Sequence, residues 1–131
     1  MSEILFQCKI SGRARSKKNS KQLFKNKITG KMFISTSDLF KKWSIFAACH
    51  INRAKNKETI DYPCNLSVKA FYSNKKHQQD LDNVIASVCD VLEDCGVIKN
   101  DNLFYSYDGS KKVYYSDQEY IIIEITRLNL D

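Results

Sequence analysis

The chain has 131 residues, of which 43% are hydrophobic and 27% charged, and its formal net charge is +6. This length favours one domain spanning residues 1–131, and the composition excludes an intrinsically disordered chain. No apolar run approaches the roughly 18 residues of a membrane span, and the first ten residues lack the pattern of a secretory signal. We therefore expect a cytoplasmic protein.

The charge is distributed unevenly along the chain. Nine bases and no acid lie between Ile4 and Ser37, whereas residues 77–102 hold six acids and one lysine, Lys99. A basic run is typical either of a solvated surface or of a surface that binds a polyanion such as nucleic acid. The acidic segment repels itself unless positive charge lies beside it.

The cysteines do not indicate a metal site. They are odd in number, and none falls in a C-x-x-C motif or in a Cys/His pair with zinc-ligand spacing. We expect reduced cysteines that pack in the core: Cys8, Cys49, Cys64, Cys89 and Cys95.

The first third of the chain predicts a strand, a basic loop and a small hairpin. The strand is ILFQCKI at Ile4–Ile10, and the loop covers residues 11–21. Gln22–Phe24 and Lys31–Ser35 flank a turn-like segment that ends in glycine, which is typical of a hairpin.

A first helix is predicted from about Asp38 to Asn56. Serine and threonine at positions 35–37 are typical N-caps, and apolar residues recur near the spacing of one helix face. The expected buried residues of this face are Leu39, Trp43, Phe46, Ala47 and Ile51.

A strand and a second helix follow the chain break at Asp61-Tyr62-Pro63. Alternating apolar residues predict the strand over Leu66–Tyr72, and a polar loop covers residues 73–79. Between Leu81 and Cys95 the apolar residues recur at i, i+3, i+4 and i+7, and the glycine at 96 suits a left-handed helix cap.

Two final strands are predicted at Leu103–Tyr114 and Glu119–Thr126. Ser116-Asp117 is the favoured turn, and Asp108-Gly109 is the alternative. The predicted elements define an α/β (α+β) fold with a mixed β-sheet and two main helices.

Three aspartates in the acidic segment are candidate metal ligands. Asp80 and Asp82 lie where the polar loop meets the second helix, and Asp101 lies between that helix and the next strand. Carboxylates suit Mg²⁺ or Mn²⁺, either of which can activate water and stabilise charge on a phosphodiester. One helix length separates Asp101 from the other two, so the spacing leaves open whether the three meet. The alternative use is structural, in helix caps and turns.

The segment 80-DLDNVIASVCDVLEDCGVIKNDN-102 resembles the RusA family of phage- and prophage-borne Holliday junction resolvases. The shared pattern is an Asp-Leu-Asp-Asn start, an aspartate late in the helix, then a glycine, a short apolar turn and an acidic pair before a strand. The basic segment 15-RSKKNSKQ-22, the helix that contains Trp43 and the Lys111-Lys112 pair before the last strand also resemble the family.

The resemblance implies a small homodimer that cuts four-way DNA at symmetrical positions with Mg²⁺, for which Mn²⁺ can substitute. It implies that Asp80, Asp82 and Asp101 converge as catalytic metal ligands. Residues expected to position a ligand or phosphate are Asn83, Asp90 and Lys111. Residues expected to hold DNA phosphates by charge are Arg13, Arg15, Lys17, Lys18, Lys21, Lys75, Lys76 and Lys112.

The chain departs from the family pattern at two positions. In one member of the family, a catalytic lysine stands four residues after the second aspartate, where this chain has Ala86, and Asn100 replaces the first acid of the acidic pair. The candidates to supply the missing positive charge are Lys75, Lys76, Lys111 and Lys112. Two alternatives stay open: a protein that binds branched DNA without cutting it, and a small RNA-binding or interaction protein.

Several other residues have both a functional and a structural interpretation. His77 is either a general base or a surface residue. Trp43 is expected in the core. Tyrosines that either stack on unpaired bases or pack against the sheet are Tyr105, Tyr107, Tyr114 and Tyr115.

Overall fold

The computed structural model describes residues 3–15, 21–25, 32–36, 38–114 and 116–129. The strands in these ranges are β1 (Ile4–Ser11), β2 (Lys21–Lys25), β3 (Met32–Thr36), β4 (Cys64–Phe71), β5 (Phe104–Ser106), β6 (Lys111–Val113) and β7 (Tyr120–Arg127), and the helices are α1 (Asp38–Ala54) and α2 (Leu81–Asp94). Two short 3₁₀ turns, which the sequence did not predict, cover Lys75–His77 and Asp101–Leu103.

The main sheet is mixed, as predicted. Its order is β1-β7-β4, and β5 and β6 both pair with β4. Strand β7 is antiparallel to both β1 and β4, whereas β5 and β6 run parallel to β4. Strands β2 and β3 form a separate antiparallel hairpin, which confirms the predicted one, and its turn lies outside the described residues. The fold is therefore a small α+β domain with two main helices.

The core lies between one face of the main sheet and the two helices. Ile10, Val68 and Ile123 come from adjacent strands, and each is fully buried. The packed helix residues include Ile51 of α1 and Leu92 of α2. Since burying one such side chain stabilises the fold by about 1.5–3 kcal/mol, this face holds the sheet and helices together.

Helix α1 ends two residues earlier than predicted and buries a narrower face. Trp43 and Ala47 are buried, but Leu39 is 51% exposed and Phe46 is 44% exposed. The prediction that these two belong to the buried face was wrong. The buried residues of α1 follow a four-residue spacing from Trp43 to Ile51. Leu39 fits this spacing but lies in the first turn, before the buried part of the helix, whereas Phe46 lies at the side of the buried stripe.

The predicted strand Leu103–Tyr114 is in fact two strands separated by a turn. The turn includes Asp108 and Gly109, and the glycine has φ +89°, a conformation that side chains rarely adopt. A Cβ at this glycine would lie 3.1 Å from the Ser67 Oγ, so the turn packs closely on β4. The turn also explains why Asn65 is buried, because its amide bonds the backbone of Asp108.

The C-terminal end of α2 is fixed by a glycine cap and by a bridge to another part of the chain. Gly96 has φ +74°, as expected for a left-handed cap, and Val97 N donates to the carbonyl of Leu92. The next residues pair with Ile60, whose N–H donates to Val97 O and whose carbonyl accepts from Lys99 N. The segment that leads to Asp101 is therefore held in place.

All five cysteines are free, and four of them are buried. Cys49 on α1 is exposed, so the expectation that every cysteine packs in the core was wrong at this position. Burial raises the pKa of the Cys64 thiol to about 11, which is typical of an inert core cysteine. In the described ranges, no helix has the length and apolar character needed to cross a membrane.

Candidate metal centre and nucleic-acid interface

Asp80 and Asp82 lie at the start of α2 with exposed side chains. Asp80 occupies the N-cap position, but its side chain makes no capping hydrogen bond, so capping does not explain this aspartate. Asp82 Oδ1 accepts a bond from the N–H of Asn83 at 2.9 Å. Neither carboxylate forms an ion pair with a cation of the described residues. Two oxygen donor groups are thus available at one helix start.

The exposed face of α2 runs from Asp82 past Ala86, the position at which one member of the family has a lysine. Ala86 is one turn after Asp82, Asp90 is one turn further on, and all three are exposed. Asn83 is half-buried, and its carbonyl accepts a bond from the hydroxyl of Ser87. The position of that lysine is thus occupied here by the small side chain of Ala86, which lies between two acidic residues.

Asp101 lies beside the last turns of α2. Its backbone N–H donates to the carboxylate of Glu93, and its own side chain is exposed. The Asn100 side chain accepts from Asn102 N at 2.9 Å and so caps the 3₁₀ turn. The amide that replaces the first acid of the family pattern therefore has a structural use.

Within one chain, Asp101 does not lie next to Asp80 and Asp82. Glu93 is eleven residues after Asp82, which corresponds to roughly 16 Å along a helix axis. In the described ranges, no group of three or more His, Cys, Asp or Glu side chains is close enough to hold one metal ion. The implied convergence is therefore absent within a single chain, and the assignment of the three as ligands stays a prediction.

A buried thiol and a tyrosine lie near Asp101. Burial, together with the negative charges of Asp101, Asp90 and Glu93, raises the pKa of Cys89 to about 12. Burial also raises the pKa of Tyr107, which hydrogen-bonds Cys89 and lies in the field of Asp101. Both groups are therefore neutral at physiological pH and add no negative charge at this end of α2.

Two glutamines hold the segment that leads into Asp80. Gln79 accepts a bond from the hydroxyl of the buried Tyr72 at 3.1 Å and donates to the carbonyl of Ala14. Gln78 accepts from Lys112 Nζ at 3.2 Å and from the hydroxyl of Tyr114. The residues before the first aspartate are thus tied to the segment after β1 and to the end of β6.

Glu119 is the acid at the centre of a second group of contacts at this end of the sheet. Its carboxylate bonds His77 Nδ1 at 2.9 Å, lies 3.6 Å from Arg13 Nε and accepts from Ser73 N at 3.3 Å. Burial raises the pKa of Glu119, but the bonds from His77 and Ser73 and the charges of His77 and Arg13 outweigh this, so the pKa is lowered overall. His77 thus pairs with a carboxylate.

We expect Glu119→Gln to lower the free energy of unfolding by about 1–2 kcal/mol at neutral pH, because a charged acceptor is lost from a partly buried site. A carboxyl group whose pKa is lowered in the folded state stabilises the fold at pH values above its ordinary pKa of 4.5. This contribution is lost as the pH falls through the lowered pKa. The difference between wild type and variant should therefore shrink below about pH 4.5. Urea denaturation from pH 7 to pH 3 measures it.

Glu58→Gln is the matched control, because Glu58 is exposed. It should change the free energy of unfolding by less than about 0.5 kcal/mol. A Glu119→Gln variant as stable as this control at every pH would contradict the structural importance of the His77–Glu119 pair.

The predicted phosphate-binding residues divide by their place in the structure. Arg13 and Arg15 follow β1, Lys75 and Lys76 are exposed in the 3₁₀ turn after β4, and Lys112 is in β6. The structure brings these segments together at the end of the sheet next to Asp80. Lys17 and Lys18 lie outside the described residues, and Lys21 is described by its backbone alone.

Lys111 lies on a different surface from the aspartates. It is directly opposite Lys69 of β4, on the sheet face that points away from α1 and α2. Its predicted part in positioning a ligand beside Asp82 therefore has no contact to support it among the described residues.

The tyrosines considered for base stacking differ in exposure, and Trp43 lies in the core. Tyr105 is 62% exposed and Tyr107 is 43% exposed, whereas Tyr114 packs against the core. Tyr115 lies outside the described residues. Trp43 is buried, which confirms its expected place.

Three residues of this region were not singled out from the sequence: Gln78, Gln79 and Glu119. Their contacts join residues between 7 and 106 positions apart, so no local spacing indicates them. The sequence shows only that Glu119 is an acid at the start of the last predicted strand. Its contact with Arg13 follows from the pairing of that strand with β1.

The fold and the site together define a small α+β protein with an acidic helix start beside a basic end of its sheet. A family model described as Endodeoxyribonuclease RusA matches residues 7–126. The chain belongs to the RusA family. A relative from Aquifex aeolicus (strain VF5), named Crossover junction endodeoxyribonuclease RusA, is 32% identical over 83 residues, which are 63% of this chain and 64% of that protein. The chain thus matches just under two thirds of the relative's length.

Proposed function

We propose that this protein is a divalent-metal-dependent endodeoxyribonuclease that resolves Holliday junctions by paired phosphodiester hydrolysis in DNA recombination and repair. The observation that carries this proposal is the pair of exposed carboxylates at the start of α2, Asp80 and Asp82, which have no cation partner among the described residues. Membership of the RusA family and the name of the Aquifex aeolicus relative support the same activity.

The donor groups fit a hard cation. Asp80 and Asp82 offer carboxylate oxygens, the ligand type that Mg²⁺ prefers and that Mn²⁺ also accepts. When bound, the ion supplies a positive charge that activates water and stabilises the charge of a phosphodiester under attack. The two aspartates would hold the ion, and Asn83, the residue after Asp82, would orient a phosphate or a water.

A third ligand must come from outside the single chain if Asp101 takes part. The separation along α2 would keep Asp101 away from an ion that Asp80 and Asp82 of the same chain would hold. In a homodimer with two-fold symmetry, Asp101 of one copy can approach the aspartate pair of the other, and the symmetry creates two such sites. Two equivalent sites are what paired cuts in a four-way junction require.

The basic residues near the aspartates contribute affinity for the DNA backbone. Arg13, Lys75 and Lys76 lie at the end of the sheet from which the chain enters Asp80. Contacts from such side chains to phosphates fix the position of DNA and carry no sequence information. They hold the junction backbone so that a scissile phosphate lies over the aspartate pair.

The direct test is a cleavage assay on a synthetic four-way junction with 5′-labelled strands. We expect the protein to cut paired strands in Mg²⁺ or Mn²⁺, to stop when EDTA is added, and to leave a linear duplex of the same sequence uncut. Junction cleavage that continues in EDTA would contradict the metal requirement, and equal cleavage of the linear duplex would contradict selectivity for four-way DNA.

A second candidate function is binding of branched DNA without cleavage. The observation that favours it is the exposed Ala86, which stands where one member of the family has a catalytic lysine. In the described ranges, no lysine bonds Asp80 or Asp82 in its place. A protein of this kind would bind the junction with strong salt dependence and leave it whole in both metals.

A further inference from the structure

Three lysines form a row across the outer face of the main sheet, which is the face that points away from the helices. Lys9 of β1 and Lys69 of β4 are both in register with Ile122 of β7, and Lys69 is in register with Lys111 of β6. Residues in register project to the same side of a sheet. With strands about 4.8 Å apart, the row spans roughly 14 Å from β1 to β6.

Two aromatic rings lie beside this row. Phe71 and Tyr120 are cross-strand partners whose rings stack with centroids 4.4 Å apart. The ammonium of Lys9 lies 4.3 Å from the centre of the Tyr120 ring. The rings are half-buried and lie at the end of the sheet from which the chain continues toward Asp80.

Among the described residues, no acid forms an ion pair with this row of lysines. Lys69 and Lys111 are direct neighbours of like charge, a pairing that destabilises a sheet. In the part of the chain that the structure describes, neither of them forms an ion pair with an acid. The nearby Glu124 accepts a hydrogen bond from Gln7 one row away. A negatively charged partner would remove this repulsion.

We propose that the outer sheet face is a second DNA-binding surface, on which the phosphate backbone of a junction arm contacts Lys9, Lys69 and Lys111. This inference rests on the proposed function, which makes DNA the polyanion. Charge complementarity favours DNA over a second copy of the chain, because a two-fold axis through this face would bring one lysine row against the other. The surface is separate from the basic residues beside Asp80, and it extends the contact from that end of the sheet along the face.

The test is the salt dependence of junction binding in EDTA, where no metal-dependent cutting occurs. A variant with Lys9→Gln, Lys69→Gln and Lys111→Gln should reduce the slope of log K against log salt by about three, since each lost phosphate contact reduces it by about one. The double variant Lys9→Gln/Lys111→Gln changes only exposed side chains and should reduce the slope by about two.

The matched control carries the same change in net charge elsewhere: Lys41→Gln, Lys42→Gln and Lys57→Gln, all at exposed positions. It should keep the slope within about one of the wild type. A double variant with the slope of this control would overturn the proposal. A double variant that alters the oligomeric state in light scattering would also overturn it and indicate an interface between copies.

The two proposals fail in different ways. If the wild type does not bind four-way DNA at all, the proposed function fails, and this surface fails with it. If the wild type binds with a steep salt slope and the double variant matches it, the sheet face alone is excluded.

Discussion

Asp82→Asn is expected to reduce cleavage of a four-way junction in Mg²⁺ by at least roughly a hundred- to a thousand-fold, in the range seen when one preorganised charge-stabilising group is lost. Asparagine keeps the shape of the side chain, and its Oδ1 can still accept the bond from Asn83 N. The change removes one negative charge and one anionic metal ligand. Junction binding in EDTA should persist or increase slightly, because less negative charge faces the phosphates.

The control for this variant is Asp94→Asn at the opposite end of α2. Asp94 is also exposed, and a carboxylate there lies at the unfavourable end of the helix dipole, so its removal should not destabilise the helix. It should cut the junction at close to the wild-type rate. If Asp82→Asn also retained that rate, the proposed metal centre would be wrong, whereas loss of cleavage together with loss of folding would be detected by circular dichroism.

Mixing two inactive variants is expected to restore cleavage if the metal site contains residues from two copies. A heterodimer of Asp82→Asn with Asp101→Asn holds one site with both substitutions and one site with neither. The intact site should nick the junction, so activity should return from background to a substantial fraction of one wild-type site. The measurement is strand cleavage after the two purified proteins are combined and allowed to exchange subunits.

A second mixture provides the control. Asp80→Asn combined with Asp82→Asn leaves one damaged aspartate pair in each site, so no intact site can form and cleavage should stay at background. Restoration in this mixture would show contamination or a different site. No restoration in the first mixture, with subunit exchange verified, would contradict a shared site.

The elements with strong local patterns could be predicted from the sequence. The apolar spacing of α2 and the glycine at 96 define that helix within a residue of its observed start and end. The position of Asp80 and Asp82 at the helix start follows from the same pattern. Strand β7 was also predicted within one residue at each end, because its isoleucine run is long and bounded by polar residues.

The remaining features depend on pairing between distant segments. The turn at Asp108-Gly109, expected only as the alternative, divides the predicted strand because β5 and β6 each pair with β4, and local alternation cannot indicate that pairing. The place of Asp101 depends on a backbone bond to Glu93 and on the bridge between Ile60 and Ile98. Sequence spacing therefore identified the acidic residues but could not give the distance between them.

The length of α2 has a geometric consequence for this arrangement. Asp82 and Glu93 are eleven residues apart, so at about 100° per residue they differ by only roughly 20° in direction around the helix axis. The backbone of Asp101 is bonded to Glu93. Asp82 and the segment that carries Asp101 therefore lie on nearly the same side of the helix. Inserting a single residue in α2 would turn one end by about 100° relative to the other while moving it only about 1.5 Å along the axis. Insertions and deletions in this helix should therefore disturb the chain far more than substitutions on its exposed face.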